Sequence, residues 1–99
     1  MADFYVGDFG IDIALKLTQA GLDYDPGQDE VTYRFYKPNA TIVDKTPAIG
    51  EVDGGYWATY TIEEGFLDVA GVWQIEVIVS RLGEHQVHGD MRFRVRKIR

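Results

Sequence analysis

An acidic loop is the first stretch of the sequence whose residue types could do chemistry. Four carboxylates fall within residues 23–30, DYDPGQDE, and clustered carboxylate oxygens are the ligands that a hard cation such as Ca²⁺ prefers. The spacing does not match an EF-hand loop, because Gly27 stands at the place of the third ligand and no glutamate follows at the required distance. The sequence therefore favours an acidic, solvated loop over a calcium site.

The histidines and the only serine do not form a recognisable catalytic or metal-binding pattern. His85 and His88 lie in or beside a predicted turn, where nothing completes the three or four ligands of a metal site. Ser80 lies at a strand end, outside any nucleophile elbow. The pair Glu63-Glu64 would need a deep cleft to hydrolyse a glycoside, and a small domain has little volume for one. We therefore expect a protein that is not an enzyme, with no catalytic, cofactor-binding or metal-binding residue and with both histidines exposed.

Aromatic side chains offer a different kind of chemistry, that of contact surfaces. They make up 13% of the residues, more than one small core can hide. The alternation along two predicted strands turns Trp57 and Tyr36 outward, and aromatic residues are enriched at protein interfaces. Three interpretations of Trp57 remain open, namely a protein–protein contact, coverage by the protein's own loops and a platform on which a sugar stacks. Both residues are interface candidates.

Three arginines near the C-terminus are the remaining interface candidates. Arg92, Arg94 and Arg96 alternate along one predicted strand, although the chain carries a net charge of −6. One interpretation is a solvated strand face paired with acids on the neighbouring strand, with Glu76 opposite Arg92. The other is a docking strip for an acidic partner surface. The negative net charge argues against nucleic acid as the partner.

A long predicted hairpin over Gly71–Lys97 positions these arginines. Residues of alternating polarity in both arms predict two strands that meet at a turn near Leu82–Gln86. The pairing of Glu76 with Arg92 sets Ile75 opposite Phe93 and Trp73 opposite Val95. The second arm then turns four residues inward, Val87, Met91, Phe93 and Val95, and five outward, His88, Asp90, Arg92, Arg94 and Arg96.

Five further strands are predicted upstream, over residues 3–6, 10–17, 30–37, 41–44 and 56–62. The total of seven short strands, with turn signals between them, is typical of a β-sandwich. In these strands the inward positions include Tyr33, Phe35, Tyr56 and Tyr60. The chain of 99 residues is long enough for one domain with a single core, so we expect one domain over residues 1–99.

Composition limits the setting in which the chain folds. Apolar residues make up 45% of the chain and charged residues 26%, as in an ordinary globular domain. The N-terminal residues do not resemble a signal peptide, and no stretch reaches the ~18 apolar residues of a membrane span. The absence of cysteine favours folding in a reducing cytosol. We expect no membrane partner.

Four stretches carry a resemblance to a known family. They are GDFGIDIALKL, a G-x-x-x-D loop at Gly21–Asp25, RFYKPNAT with its Lys37-Pro38 end, and Asp53-Gly54-Gly55-Tyr56 followed by Ala70-Gly71-Val72-Trp73. Together they resemble the N-terminal immunoglobulin-like domains of bacteriophage baseplate upper proteins and related virion sandwiches. The helical and receptor-binding regions of those proteins have no counterpart in this sequence, so the resemblance does not extend to their adaptor role.

The resemblance implies a fold, a setting and a class of partner. The fold would be an all-β, seven-stranded immunoglobulin-like sandwich. The protein would be a structural component of a phage tail, baseplate or capsid, folded in the host cytoplasm and bound to neighbouring virion subunits or to copies of itself. It would need no cofactor. The alternative is a carbohydrate-binding or cell-surface adhesion module that binds a glycan through Trp57 and Tyr36.

Overall fold

The computed structural model describes residues 2–81 and 83–97, and every regular element in them is a β-strand. The strands are β1 (Ala2–Tyr5), β2 (Asp12–Lys16), β3 (Thr18–Gln19), β4 (Leu22–Asp23), β5 (Glu30–Tyr36), β6 (Ile42–Lys45), β7 (Ala48–Val52), β8 (Gly55–Thr61), β9 (Gly71–Arg81) and β10 (Glu84–Arg96). The predicted all-β class is confirmed. Among the described residues, no helix is long and apolar enough to cross a membrane.

The strands form two larger sheets and one small hairpin. The five-stranded sheet has the order β1-β10-β9-β5-β6, and the three-stranded sheet has the order β2-β8-β7. Strands β3 and β4 pair only with each other. Strand β1 runs parallel to β10, whereas the other pairings are antiparallel. The arrangement is consistent with a β-sandwich, because residues of both larger sheets contribute to one buried core.

The core between the sheets combines aliphatic side chains with a cluster of aromatic rings. Tyr33, Phe35, Trp73 and Phe93 are fully buried, and all four come from the five-stranded sheet. Phe66 enters from the loop before β9 and meets the Phe35 ring at a centroid distance of 4.9 Å, in an edge-to-face contact. The sequence pattern turned these strand residues inward, and the burial confirms it. Edge-to-face packing adds about 0.5–1.5 kcal/mol per pair to the burial of apolar area.

One buried hydroxyl ties the two sheets together. The single proton of Tyr33 Oη is shared between two acceptors on the three-stranded sheet, the carbonyl oxygen of Ile13 at 3.1 Å and that of Ala58. Burial raises the pKa of Tyr33 above its ordinary value, so the hydroxyl remains a donor. Trp73 Nε1 donates to the carbonyl of Val69 at 2.9 Å. Within the described part of the chain, no buried side-chain nitrogen or oxygen lacks a hydrogen-bond partner.

The structure has ten strands in its described residues, not the seven that the pattern predicts. Each predicted segment contains a strand, and β3, β4 and β7 are additional. Strand β7 was not predicted, because all of its residues are exposed and, with Gly50 at its centre, its sequence shows no inward apolar series. The β3–β4 hairpin has its turn at Ala20-Gly21, both with positive φ, and its strands are too short to show a period.

The register of the long hairpin differs from the predicted one by two residues. Phe93 lies opposite Trp73, and Arg92 lies opposite Gln74 instead of Glu76. Arg81 pairs with Glu84, so the turn is much shorter than the predicted Leu82–Gln86, and Leu82 itself lies outside the described residues. The tighter turn shifts the partners of β10 on β9 by three residues relative to the prediction. A bulge in β10 then reverses one residue of that shift. Because the net shift is even, Met91, Phe93 and Val95 still face inward.

The bulge in β10 reverses two predicted orientations. The pairing slips between Val87 and Gly89, which leaves His88 as the extra residue. His88 is therefore turned inward with 2% exposure, and Val87 is turned outward with 54% exposure. The expectation of an exposed His88 and an inward Val87 was wrong. A Cβ at Gly89 would lie 3.3 Å from the backbone oxygen of Lys16, so this close approach of β10 to β2 suits glycine.

Candidate functional site: the arginine face

Four of the five predicted interface residues share one outer surface. After the bulge, β10 resumes its alternation, so Arg92, Arg94 and Arg96 point away from the core and are exposed. On β9, Val72 and Gln74 lie opposite Arg94 and Arg92. On β5, Tyr36 lies next to Gln74. We call this surface the arginine face: Arg92, Arg94 and Arg96 with Val72, Gln74 and Tyr36 beside them.

The three arginines have different surroundings. Arg96 donates through Nε and Nη2 to one carboxylate oxygen of Asp3 on β1, at 3.1 and 3.0 Å. Asp3 lies opposite Arg94 in the parallel pairing of β1 with β10, yet its carboxylate is engaged by Arg96. Neither Arg92 nor Arg94 forms a side-chain hydrogen bond or salt bridge with any residue that the structure describes.

Glu76, the expected partner of Arg92, is engaged elsewhere. It lies opposite Asp90 on β10 and Arg34 on β5. One of its oxygens accepts a hydrogen bond of 2.5 Å from the hydroxyl of Tyr36. That hydrogen bond raises the pKa of Tyr36 above its ordinary value. The shifted register therefore replaces the predicted pair of Glu76 and Arg92 with a contact between Glu76 and Tyr36.

Apart from Lys97, which has no salt bridge to a described residue, the other cations of the described chain are paired with acids. Their nitrogen–oxygen distances lie between 2.7 and 3.0 Å, in the pairs Lys16–Asp23, Arg34–Asp44, Lys37–Asp68, Lys45–Glu63 and Arg81–Asp29. Bonding to Arg34 lowers the pKa of Asp44, and bonding to Lys45 lowers that of Glu63. Five further cations thus have an acidic partner among the described residues, and the two guanidinium groups without one lie together on the arginine face.

Apolar surface adjoins the unpaired arginines. Val72 is 44% exposed, and Ile42, opposite Tyr36 on β6, is 56% exposed. A shallow depression of about 400 Å³ lies at the end of the face, between Tyr5, Arg94, Arg96 and Gly71. The surface thus combines two unpaired guanidinium groups with exposed aliphatic side chains.

Trp57 lies on the opposite side of the molecule. It is on the outer face of the three-stranded sheet, opposite Lys16 on β2 and Gly50 on β7, and it is half-buried. The core separates it from Tyr36, which lies on the outer face of the five-stranded sheet. The structure therefore brings Tyr36, Arg92, Arg94 and Arg96 together and leaves Trp57 apart from them.

His88 is a polar residue whose placement the sequence pattern missed. Its ring stacks on Tyr24, with centroids 3.9 Å apart and planes 14° from parallel. Nδ1 lies 2.9 Å from the carbonyl oxygen of Thr18, to which it donates, and Nε2 lies 3.1 Å from Oε1 of Gln86. Gly89 was the available signal, because a glycine inside a strand often marks a bulge. His88 joins the β3–β4 hairpin to β10.

The remaining candidates for chemistry do not assemble into a reactive site. Ser80 Oγ lies 2.8 Å from Nδ1 of His85, but the two are cross-strand partners near the surface and no third group from the described residues orients the imidazole. In the acidic loop, Asp25 accepts from the backbone N–H of Gly27, and Asp29 binds Arg81. Among the described residues, no group of three or more histidine, aspartate or glutamate side chains is placed to hold a metal ion.

Comparisons with known proteins add no relative. No model of a known protein family matches this chain, and neither does any curated protein or any solved structure.

Proposed function

We propose that this protein is a non-enzymatic structural and interaction protein that binds an acidic neighbour through its arginine face. The setting we propose is a bacteriophage virion, as a tail, baseplate or capsid accessory component, and the resemblance in residue motifs supports that setting. The partner is then another virion subunit.

The proposal of a binding surface rests on one observation. Arg92 and Arg94 lack an acidic partner among the described residues of a chain with 16 acids and 10 bases, while the other exposed arginines of that part are paired. A guanidinium group presents a planar set of donors that fits carboxylates in a two-point contact. Two such groups on one face, with exposed Val72 opposite Arg94 and exposed Ile42 on the edge strand β6, suit an acidic protein surface that also carries apolar side chains.

We also propose that the sandwich is immunoglobulin-like. In immunoglobulin constant domains the second, fifth and fourth strands are neighbours in one sheet, and the third, sixth and seventh form the other. The order β2-β8-β7 matches the first set, and β5, β9 and β10 match the second, with β6 as an added edge strand. The bond from Trp73 to the carbonyl of Val69 resembles the contact that a tyrosine makes at the same corner in immunoglobulin domains.

A binding assay with a polyacidic probe tests the surface. Wild-type protein should bind immobilised poly-L-glutamate, and Arg92→Gln/Arg94→Gln should lose most of that binding. The matched control is Lys16→Gln/Arg81→Gln, which changes the net charge equally but removes cations that already have partners. Binding should fall as salt rises, because screening acts on exposed charge pairs. Equal losses in both double variants would show that net charge alone drives binding.

The virion setting needs a separate experiment. Mass spectrometry of purified phage particles from a host that encodes this chain should detect it at a fixed copy number per particle. Its absence from particles, with the chain present in the same lysate, would remove the virion from the proposal and leave the acidic-partner surface to be judged alone.

The geometry gives less support to the alternative of a glycan-binding module. Trp57 and Tyr36 lie on opposite outer faces, so they cannot flank one sugar chain as a shared platform. Glycan-array binding that disappears in Trp57→Ala would favour this alternative over the arginine face.

A further inference from the structure

The outer edge of β7 is a strand edge that lacks the usual protection against pairing. Strand β7 ends the three-stranded sheet, and no described strand pairs with its other side. All five of its residues are exposed, and Glu51 is its only charged residue. Edge strands are usually protected by lysine, proline or a bulge, and the five residues of β7 contain none of these. The edge strand β6 of the other sheet carries Asp44 and Lys45 in four residues.

The backbone groups on this edge can be identified from the ladder. The N–H of Leu17 donates to the carbonyl of Tyr56 at 2.8 Å, so Tyr56 and every second residue of β8 bond toward β2. The intervening residues of β8 bond toward β7, where their partners include Gly50. Ile49 and Glu51, on either side of Gly50, therefore direct their N–H and C=O groups to the open edge.

These groups are spaced for pairing with a second copy of the same strand. We propose that β7 pairs antiparallel with β7 of another copy of this chain, about a two-fold axis at Gly50. Ile49 of one copy then faces Glu51 of the other, and the two pairs form four N–H···O=C bonds. The edge is self-complementary because its two bonding residues are equally far from Gly50.

Gly50 suits the position on the axis. Facing residues between two hydrogen-bonded pairs of an antiparallel ladder are the closest, with Cα atoms about 4.5 Å apart. No heavy atom lies within 4 Å of the position that a Cβ on Gly50 would occupy, so the outer face above it is open. The paired copies would form one continuous sheet of six strands.

This dimer and the arginine face are separate surfaces with opposite responses to salt. Each copy carries a net charge of −6, so two copies repel each other. Added salt screens that repulsion and should strengthen the dimer, whereas it should weaken binding of an acidic partner to the arginine face. The dimer does not depend on the proposed function, and either can fail without the other.

Sedimentation equilibrium tests the dimer with the wild-type chain. The mass should rise from the 11.2 kDa monomer toward twice that value as concentration increases, and more readily in high salt. A monomer at all concentrations up to about 1 mM in high salt would overturn the proposal. So would a dimer that salt weakens.

A pair of substitutions at one position identifies the edge. Ile49→Lys places a cation opposite Glu51 of the other copy and should tighten the dimer, whereas Ile49→Glu places two acids together and should weaken it. Each change acts twice in the dimer, so we expect a factor of about 2–30 in each direction. Ile42→Lys and Ile42→Glu make the same charge changes on the β6 edge and should have a much smaller effect. Equal effects at both edges would contradict the proposal.

Amide hydrogen exchange in the wild-type chain gives a readout that needs no substitution. Exchange at Ile49 and Glu51 should slow as the protein concentration rises, because those amides are bonded only in the dimer. Exchange at Ile42, on the other sheet edge, should not change. Protection that grows with concentration at Ile42 and not at Ile49 would assign the dimer to β6 and refute the pairing through β7.

Discussion

Polar side chains in the interior between the sheets have hydrogen-bond partners, whereas two arginines of the arginine face outside it have none among the described residues. Inside, the hydroxyl of Tyr33 and the indole N–H of Trp73 both donate to backbone carbonyls. Outside, Arg92 and Arg94 have no partner among the described residues. A buried donor without a partner costs about 1–3 kcal/mol, whereas an exposed arginine is hydrated by water. The interior therefore stabilises the fold through its paired donors, whereas the side chains of Arg92 and Arg94 form no hydrogen bond or salt bridge within the described residues that stability could depend on.

The largest expected effect tests the interior. Trp73→Ala should lower the free energy of unfolding by about 3–5 kcal/mol, because Trp73 is fully buried and packs against Phe66 and Phe93. Urea denaturation followed by circular dichroism measures this loss. The control is Trp57→Ala, which removes the half-buried tryptophan of the outer face and should cost much less. Equal losses would mean that the outer face of the three-stranded sheet also contributes strongly to stability.

A smaller effect isolates the hydroxyl that joins the sheets. Tyr33→Phe should cost about 1 kcal/mol, since the ring keeps its packing and only the bonds to Ile13 and Ala58 disappear. Tyr5→Phe removes a hydroxyl from a side chain that is 45% exposed and should leave the urea midpoint unchanged. If Tyr33→Phe, like the control, unfolds at the same urea concentration as wild type, the hydrogen bond between the sheets adds nothing to stability.

The paired part of the outer surface should show a weak dependence on pH. Bonding to Arg34 lowers the pKa of Asp44 in the folded state. The contribution of this ion pair to the free energy of unfolding is therefore complete above the ordinary pKa of 3.8, and it is lost as the pH falls through the lowered pKa. Both side chains are well exposed, so we expect about 0.2–1 kcal/mol. Denaturation below pH 4 should show a flatter profile for Asp44→Asn, and an unchanged slope would count against this pair.

The smallest expected change in stability is that of the double variant of the arginine face. Arg92→Gln/Arg94→Gln should change the free energy of unfolding by less than about 0.5 kcal/mol, because neither side chain has a partner to lose among the described residues. The same protein should lose most of its binding to poly-L-glutamate. A thermal midpoint well below that of wild type would show that these arginines stabilise the fold, and the separation of stability from binding would then be wrong.

Much of the fold could be predicted because alternation is a local property. Tyr33, Phe35, Trp73 and Phe93 follow a period of two in strands long enough to show it, and all four are buried. Strand β7 could not be predicted, since an exposed edge strand carries no inward apolar series. The candidate site was predicted in part. The arginines were placed on the correct side, but their cross-strand partner was wrong.

His88 shows why alternation has a limit. The sequence assigned it to the outer side with Arg92, but His88 is itself the extra residue of the bulge and is therefore turned into the interior. The stacking of its ring on Tyr24 joins positions 64 residues apart in the chain, and no local pattern links them. Gly89 was the only nearby residue that indicated an irregular strand.

The sequence by itself determined the all-β class, the side chains that the regular strands bury and the exposure of the arginines. These follow from the period of two, which each strand carries alone. Only the tertiary structure decided which residues face each other across strands, that Arg92 and Arg94 lack an acidic neighbour among the described residues, and that Trp57 and Tyr36 lie on opposite faces. Those outcomes depend on the length of one turn, the position of one bulge and the order of strands in two sheets, and all of these are set by contacts between distant residues.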